Sequence, residues 1–255
     1  MIAVTALQSA IEQGYAAFER EPRPTSLEAS PLRDADAILR TLTSAPLRDL
    51  KDKDIGPYSS WAITTVGTPG DYRHFLPRIL ELAVSNPSWP GAEPAVIAGK
   101  LKAGGWEGWP TDQREAISAT FEAAFYAAIA PEAEEWPVAS DWLCGLARLA
   151  IPLEPFLSRW EQCSSPGAAR QLASFIRLQE GRLAREGGVS GAFWDDVDRD
   201  RRRQIAVWLT AEPVLRQLEA ALDRVEPEDR WEIEQGLADL GGTVDRVRDR
   251  YETQR

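Results

Sequence analysis

A chain of 255 residues with a formal net charge of −11 is too acidic for a general nucleic-acid binder, because such proteins present a basic surface to the phosphates. Its hydrophobic share of 44% and charged share of 27% are typical of a globular protein. No apolar stretch approaches the length of a membrane span, and the first residues lack the leader of a signal peptide. We therefore predict a cytoplasmic protein that binds neither nucleic acid nor membrane.

Apolar residues recur every three or four positions along most of the chain, a spacing typical of amphipathic α-helices. A first helix face is formed by Val4, Leu7, Ile11, Tyr15 and Phe18. For the second helix, Ser30 is the predicted N-cap, Pro31 the first helical residue and Leu32 part of the apolar face. The segment 58–66 has strand propensity between helical neighbours, and we predict a helix there.

The rest of the chain continues the helical pattern. A helix is predicted from Pro94 to Lys102, and Asp112 with Glu115 forms a capping box for a longer one that buries Phe121. Further helices are predicted over 138–149, 153–162, 167–185, 197–209 and 213–225, and a last one with heptad-like spacing of Leu237, Leu240, Val244, Val247 and Tyr251.

No alternation of period two is sustained in the sequence, so the predicted fold class is all-α. We expect about ten to twelve helices in an antiparallel bundle or an irregular, solenoid-like stack. The chain is predicted to form a single domain, 1–255, that could divide near residues 130–137.

The motifs of cofactor and metal chemistry are absent from the sequence. Glycine-rich phosphate loops, a nucleophile elbow and a zinc-protease helix are missing, and a single histidine excludes a site with several histidine ligands. Cys144 and Cys163 are too few for a disulfide framework, so buried free thiols are predicted. We predict no cofactor, no metal and no set of catalytic residues.

The single histidine, His74, lies in "GDYRHFLPRILEL" and allows two interpretations. In the first, it works with a carboxylate, Asp71 or Glu81, in an enzyme's pocket. In the second, it is a neutral residue that bonds a local backbone group near the start of a helix. We favour the second interpretation.

The same segment predicts where its helix begins. Proline is tolerated in the first turn of a helix, so Pro77 places the start near His74 or Phe75. Arg73 and Arg78 are then expected to pair with acidic groups on other helices.

The strongest acidic cluster is "FWDDVDRDRRR", with Asp195, Asp196, Asp198 and Asp200. Its alternation resembles a calcium loop, but Arg201 and Val207 stand where that loop needs glycine and glutamate. The simpler interpretation is a helix start, with aspartates complementing the helix dipole and Arg201 to Arg203 pairing with them. The functional interpretation is an acidic patch, flanked by Trp194, that meets a basic partner.

Trp106 and Trp109 stand three apart in the glycine-rich "KAGGWEGWP". Exposed, they would be anchors of a protein interface; buried, they would fill the gap between two helices. The buried interpretation is favoured, and the interface interpretation stays open.

Residues 55–125 resemble a family of uncharacterised bacterial proteins. That family carries a Tyr-x-x-x-Ala-x-Thr-Thr-x-Gly element, a His-Phe-Leu-Pro-Arg block and a Trp-x-x-Trp-Pro element. Here these elements are represented by Tyr58, Ala62, Thr64, Thr65 and Gly67, then by Arg73 to Arg78, and then by Trp106, Trp109 and Pro110. The resemblance indicates kinship and implies no activity.

Acidity, a helical scaffold and missing catalytic motifs favour a non-catalytic protein that binds another protein. The most concrete form is an immunity protein that neutralises a bacterial toxin, since acidic inhibitors associate quickly with basic toxin domains. The predicted partner-binding residues are Trp194, Asp195, Asp196, Asp198, Asp200, Trp106 and Trp109. The alternatives are a helical scaffold or regulatory adaptor and, further, an enzyme that uses His74.

Overall fold

The computed structural model describes residues 2–85, 91, 93–130, 138–179 and 181–252. The α-helices are α1 (Ile2–Ala17), α2 (Ala35–Leu42), α3 (Asp52–Trp61), α4 (Pro69–Ser85), α5 (Pro94–Ala103), α6 (Thr111–Ala128), α7 (Ala139–Arg148), α8 (Glu154–Gln162), α9 (Pro166–Leu178), α10 (Arg182–Glu186), α11 (Arg199–Leu209), α12 (Glu212–Ala221) and α13 (Pro227–Glu252). Within the described ranges twelve of these helices have eight residues or more and no strand is present, which confirms the predicted all-α class. None of the helices described is both long and apolar enough to span a membrane.

Two compact units make up the chain, Met1–Ala124 and Phe125–Arg255. The division between them falls inside α6. The division expected near 130–137 falls, apart from Ala130, outside the described residues, and the single domain therefore stays a prediction.

In the first unit, α4 supplies much of the core, with Tyr72, Phe75 and Leu76 almost fully buried. This helix begins at Pro69, so the predicted start near His74 or Phe75 is wrong. The reason is a capping box just before the helix. The Thr68 hydroxyl accepts from the Asp71 backbone N–H at 3.2 Å, and the Asp71 carboxylate accepts from the Thr68 N–H at 2.7 Å.

The predicted helix over 58–66 is right only for its first half. α3 ends at Trp61, and Ile63 takes a left-handed conformation with φ 64°. Such a conformation costs a β-branched residue roughly 1–2 kcal/mol. The Ile63 side chain lies close to Gly104, because a Cβ built on that glycine would be 3.3 Å from Ile63 Cδ1.

Two other predicted helix starts are displaced. α2 begins at Ala35, with Asp34 rather than Ser30 as the N-cap, since the Asp34 carboxylate accepts from the Ala37 N–H at 2.9 Å. Leu32, predicted to be on the apolar face, lies before the helix with 94% of its surface exposed. α6 begins at Thr111, so Asp112 lies in its first turn instead of capping it.

The core of the second unit is centred on Trp160. Its ring is parallel to that of Phe175 at 6.2 Å, and its indole N–H donates to the Ala168 carbonyl at 3.0 Å. The helix predicted over 167–185 is two helices, α9 and α10, because Gly181 takes a left-handed φ of 67° between them. In the heptad-like pattern of α13, Leu240 is buried, and the side chains of Val244, Val247 and Tyr251 fall outside the described ones.

Candidate functional site

The segment between α10 and α11 contains residues 190–198, which we call the acidic loop. Trp194 in this loop is 7% exposed and stacks on Phe175, with ring centres 5.6 Å apart. Phe193, the preceding residue, is 41% exposed. The aromatic side chain that faces solvent here is therefore Phe193. Trp194, predicted to flank an acidic patch that meets a partner, is buried, and its part in binding stays a prediction.

The four aspartates predicted to bind a partner are all exposed. Asp198 is the N-cap of α11, since its carboxylate accepts from the N–H groups of Asp200 at 2.9 Å and Arg201 at 3.4 Å. The predicted helix start is therefore confirmed. Asp195 and Asp196 precede this cap and also lie in solvent, the Asp196 side chain with 78% of its surface exposed.

Arg148, at the end of α7, holds the acidic loop in place. Its guanidinium, only 7% exposed, donates from Nε to the Phe193 carbonyl at 2.9 Å and forms an ion pair with Asp196. The Cys144 thiol donates to the same carbonyl at 3.4 Å. Sequence reasoning missed Arg148, although a single cation inside the apolar "LCGLARLA" indicates a buried charge that needs a partner.

The backbone of the acidic loop forms hydrogen bonds along most of its length. The Ser190 N–H donates to Gln179 Oε1 at 2.8 Å, the Trp194 N–H to the Gly191 carbonyl at 2.9 Å, and the Val197 N–H to the Trp194 carbonyl at 2.9 Å. With these bonds made, the loop loses little conformational entropy when a partner binds.

The predicted pairing of Arg201 with the aspartates is wrong. Its guanidinium donates instead to the carbonyl groups of Ile151 at 2.7 Å and Ala150 at 2.9 Å. These bonds leave the carboxylates of Asp198 and Asp200 at the edge of a cleft of about 410 Å³, which Glu154 also lines. The acidic surface therefore extends from the loop to the start of α8.

The two other predicted anchors, Trp106 and Trp109, are 6% and 8% exposed, which confirms the buried interpretation. The Trp109 indole N–H donates to the Gly104 carbonyl at 3.1 Å, and the ring meets Phe18 edge-on. A partner that approached this region would find little of either indole to contact.

His74 makes a structural contact. Its Nδ1 donates to the Glu21 carbonyl oxygen at 3.1 Å, and its ring meets Phe75 edge-on. The bond to a backbone group was predicted, but Glu21 is distant in sequence rather than local. Asp71, one candidate catalytic carboxylate, is engaged in the capping box.

Glu81, the other candidate carboxylate, accepts from the Tyr15 hydroxyl and from Arg78 Nη1 at 2.6 Å. Arg78 therefore pairs within its own helix, contrary to prediction, and also donates to the Leu50 carbonyl at 2.8 Å. Arg73 Nε lies 3.4 Å from a carboxylate oxygen of Glu21, a residue on another segment just after α1. In these contacts, neither Asp71 nor Glu81 forms a hydrogen bond with His74.

Among the residues that the structure describes, no three histidine, cysteine, aspartate or glutamate side chains are grouped as metal ligands. The membership of residues 55–125 in an uncharacterised bacterial family stays a prediction. Comparison of this chain with family models, with curated proteins and with solved structures finds no match.

Proposed function

We propose that this protein binds another protein without catalysing a reaction, and that it neutralises a bacterial toxin by capturing a basic toxin domain. The observation that carries the proposal is the exposed Phe193 beside exposed aspartates on a loop that is already ordered. A partly exposed aromatic side chain with a polar rim is the usual composition of an interface hot spot.

The charge of the chain supports this choice of partner. Asp195, Asp196, Asp198 and Asp200 all follow Phe193 within seven residues, and the whole chain carries a net charge of −11. An acidic surface accelerates association with a basic partner, and added salt screens that attraction. Affinity should come mainly from Phe193, and the association rate mainly from the carboxylates.

A helical adaptor is the second candidate, because another apolar surface exists in the second unit. Trp231 at the start of α13 is 57% exposed, and the Arg177 guanidinium lies 4.7 Å from its ring. Leu178, next to Arg177, is 59% exposed. An adaptor would use these side chains, whereas a toxin inhibitor would use the acidic loop.

The test is binding and growth protection with the toxin domains encoded beside the gene. Each domain is co-expressed with the chain, and complex formation is measured by calorimetry between about 50 and 500 mM NaCl. Phe193→Ala should weaken binding about 30-fold, corresponding to the loss of one hot-spot side chain. Asp195→Asn combined with Asp200→Asn should slow association and reduce its salt dependence.

Two controls have matched chemistry. Leu32→Ala removes an exposed apolar side chain from the first unit, and Asp36→Asn removes an exposed carboxylate there. Both should bind like the unmodified chain. The proposal fails if no basic toxin domain is bound or neutralised, and the adaptor gains support if Trp231→Ser abolishes binding that Phe193→Ala preserves.

A further inference from the structure

Lys100, in the first unit, is the lysine of this chain that the fold buries. It lies on α5 between Ile97 and Leu101, which are fully buried, and only 8% of its own surface is exposed. Its Nζ donates to the Thr64 hydroxyl at 3.0 Å. Thr64 is exposed, so this contact holds the half-buried amino group at the protein surface. The other lysines of the chain are all exposed: Lys51, Lys53 and Lys102.

The charge of this amino group has no acidic partner in the part of the chain that the structure describes. A lysine ammonium has three N–H donors, and the one bond that Nζ forms there is to the neutral Thr64 hydroxyl. Burial lowers the pKa of the Lys100 ammonium, because removal of water disfavours the charged form. A larger share of this amine is therefore neutral and nucleophilic near neutral pH than of an exposed lysine.

The surroundings of Lys100 Nζ decide which electrophile this amine can attack productively. An aldehyde would form an imine only after a general acid protonates the departing hydroxyl group, and no carboxylate or histidine bonds Nζ among the described residues. An acyl thioester needs no such acid, because a thiolate is a good leaving group near neutral pH. The half-buried position of Nζ restricts the acyl group to a small one.

We propose that Lys100 is an acylation site that takes a small acyl group, such as acetyl, from a thioester. The neutral Nζ attacks the carbonyl carbon, a C–N bond forms, and the C–S bond breaks with its electron pair leaving on sulfur. The proton lost from nitrogen ends on the thiolate, so the products are an amide and a thiol, and no oxidant or reductant takes part. The amide is neutral, so acylation removes an uncompensated charge from α5.

The test measures acylation of the folded full chain at every lysine. The chain is incubated near neutral pH with S-acetyl-N-acetylcysteamine, a small acetyl thioester, and acetylation of each lysine is followed over time by peptide mass spectrometry. Lys100 should react several-fold faster than Lys102, an exposed lysine on the same helix that serves as the internal control. In guanidinium chloride this difference should disappear, because it arises from the folded surroundings of Lys100.

Substitutions at two adjacent exposed threonines test whether the uncompensated charge is the cause. Thr64→Asp places a carboxylate beside Nζ, which favours the ammonium and should slow acylation of Lys100 to the rate of Lys102. Thr65→Asp is the matched control and should leave the rate unchanged, because the Thr65 hydroxyl donates to the Trp61 carbonyl at 3.4 Å and not to Lys100. The proposal is overturned if Lys100 reacts no faster than Lys102 in the folded chain, if its advantage persists in guanidinium chloride, or if Thr64→Asp leaves its rate unchanged.

Discussion

The segment around His74 and the acidic loop use their polar groups in opposite ways. In the first, the polar side chains form hydrogen bonds inside the protein: Asp71 caps α4, His74 bonds the Glu21 carbonyl and Arg78 bonds the Leu50 carbonyl. In the second, the backbone forms much of the bonding and most carboxylates remain in water. A dense polar motif is therefore a weak sign of function when its side chains are already bonded internally.

The ordered acidic loop depends most on Trp194, which packs it against the core of the second unit. Trp194→Ala should lower the free energy of unfolding by about 3–5 kcal/mol, because it removes a large buried ring that stacks on Phe175. Urea unfolding followed by circular dichroism measures the change. Trp194→Phe keeps an aromatic ring and should lose less than half as much. A loss below about 1 kcal/mol would mean that the loop is not anchored by this residue.

The second test removes the cation that holds the loop. Arg148→Met should cost about 2 kcal/mol of unfolding free energy, because the Phe193 carbonyl and Asp196 lose charge-assisted hydrogen bonds. Hydrogen exchange of the Trp194 and Asp195 amides should also accelerate. Arg201→Met, which affects carbonyls outside the loop, is the control. Unchanged exchange in the Arg148 variant would contradict the role given to this residue.

The third test concerns the hydrogen bond that His74 donates to the Glu21 carbonyl inside the protein. His74→Ala should lower the free energy of unfolding by about 1 kcal/mol, the typical value of one hydrogen bond. His74→Asn should restore part of the loss, because an amide can donate to the Glu21 carbonyl from a similar position. A variant with unchanged stability but a lost activity would instead revive the enzyme interpretation.

The smallest expected effect is a pH dependence at Cys144, whose thiol contacts the acidic loop. Burial raises the pKa of this thiol from 9.0 to about 12. The folded thiol thus stays protonated while the unfolded one ionises, so stability present below pH 9 declines as the pH rises toward 12. Between about pH 8 and 9 the loss should be about 0.4 kcal/mol. Cys144→Ala should remove this slope in urea unfolding measured across that interval.

Periodicity was sufficient for the fold class and for the buried face of α6, because Ile117, Phe121 and Phe125 recur at helical spacing and are buried. The start of α4 was also within reach. The pattern Thr68-x-x-Asp71 is a capping box that marks this start, whereas the position of Pro77 alone predicts a later one. Pro77 removes a backbone hydrogen bond inside α4, a cost of about 3 kcal/mol, and lies in a helix whose neighbouring side chains Phe75, Leu76 and Ile79 are buried.

The acidic loop shows what local patterns leave undetermined. Phe193 and Trp194 are adjacent aromatic residues in an irregular segment, where no period decides which one faces the core. Their placement depends on Phe175 and Arg148, which are distant in sequence and become neighbours only in the folded chain. A run of carboxylates is visible in the sequence and marks the aspartates, whereas nothing in the sequence distinguishes the exposed aromatic residue beside them.

The left-handed Ile63 has a consequence for how this protein can change during evolution or engineering. Glycine or asparagine would relieve the backbone strain, yet either would leave a gap beside Gly104, where the Ile63 side chain packs. A Cβ at Gly104 would lie 3.3 Å from Ile63 Cδ1 and 3.2 Å from the Lys100 carbonyl and the Trp109 ring, so these neighbours would have to shift by a few tenths of an ångström. Positions 63 and 104 should therefore accept substitutions as a pair more readily than singly, and a library that varies both together should recover folded variants that single replacements miss.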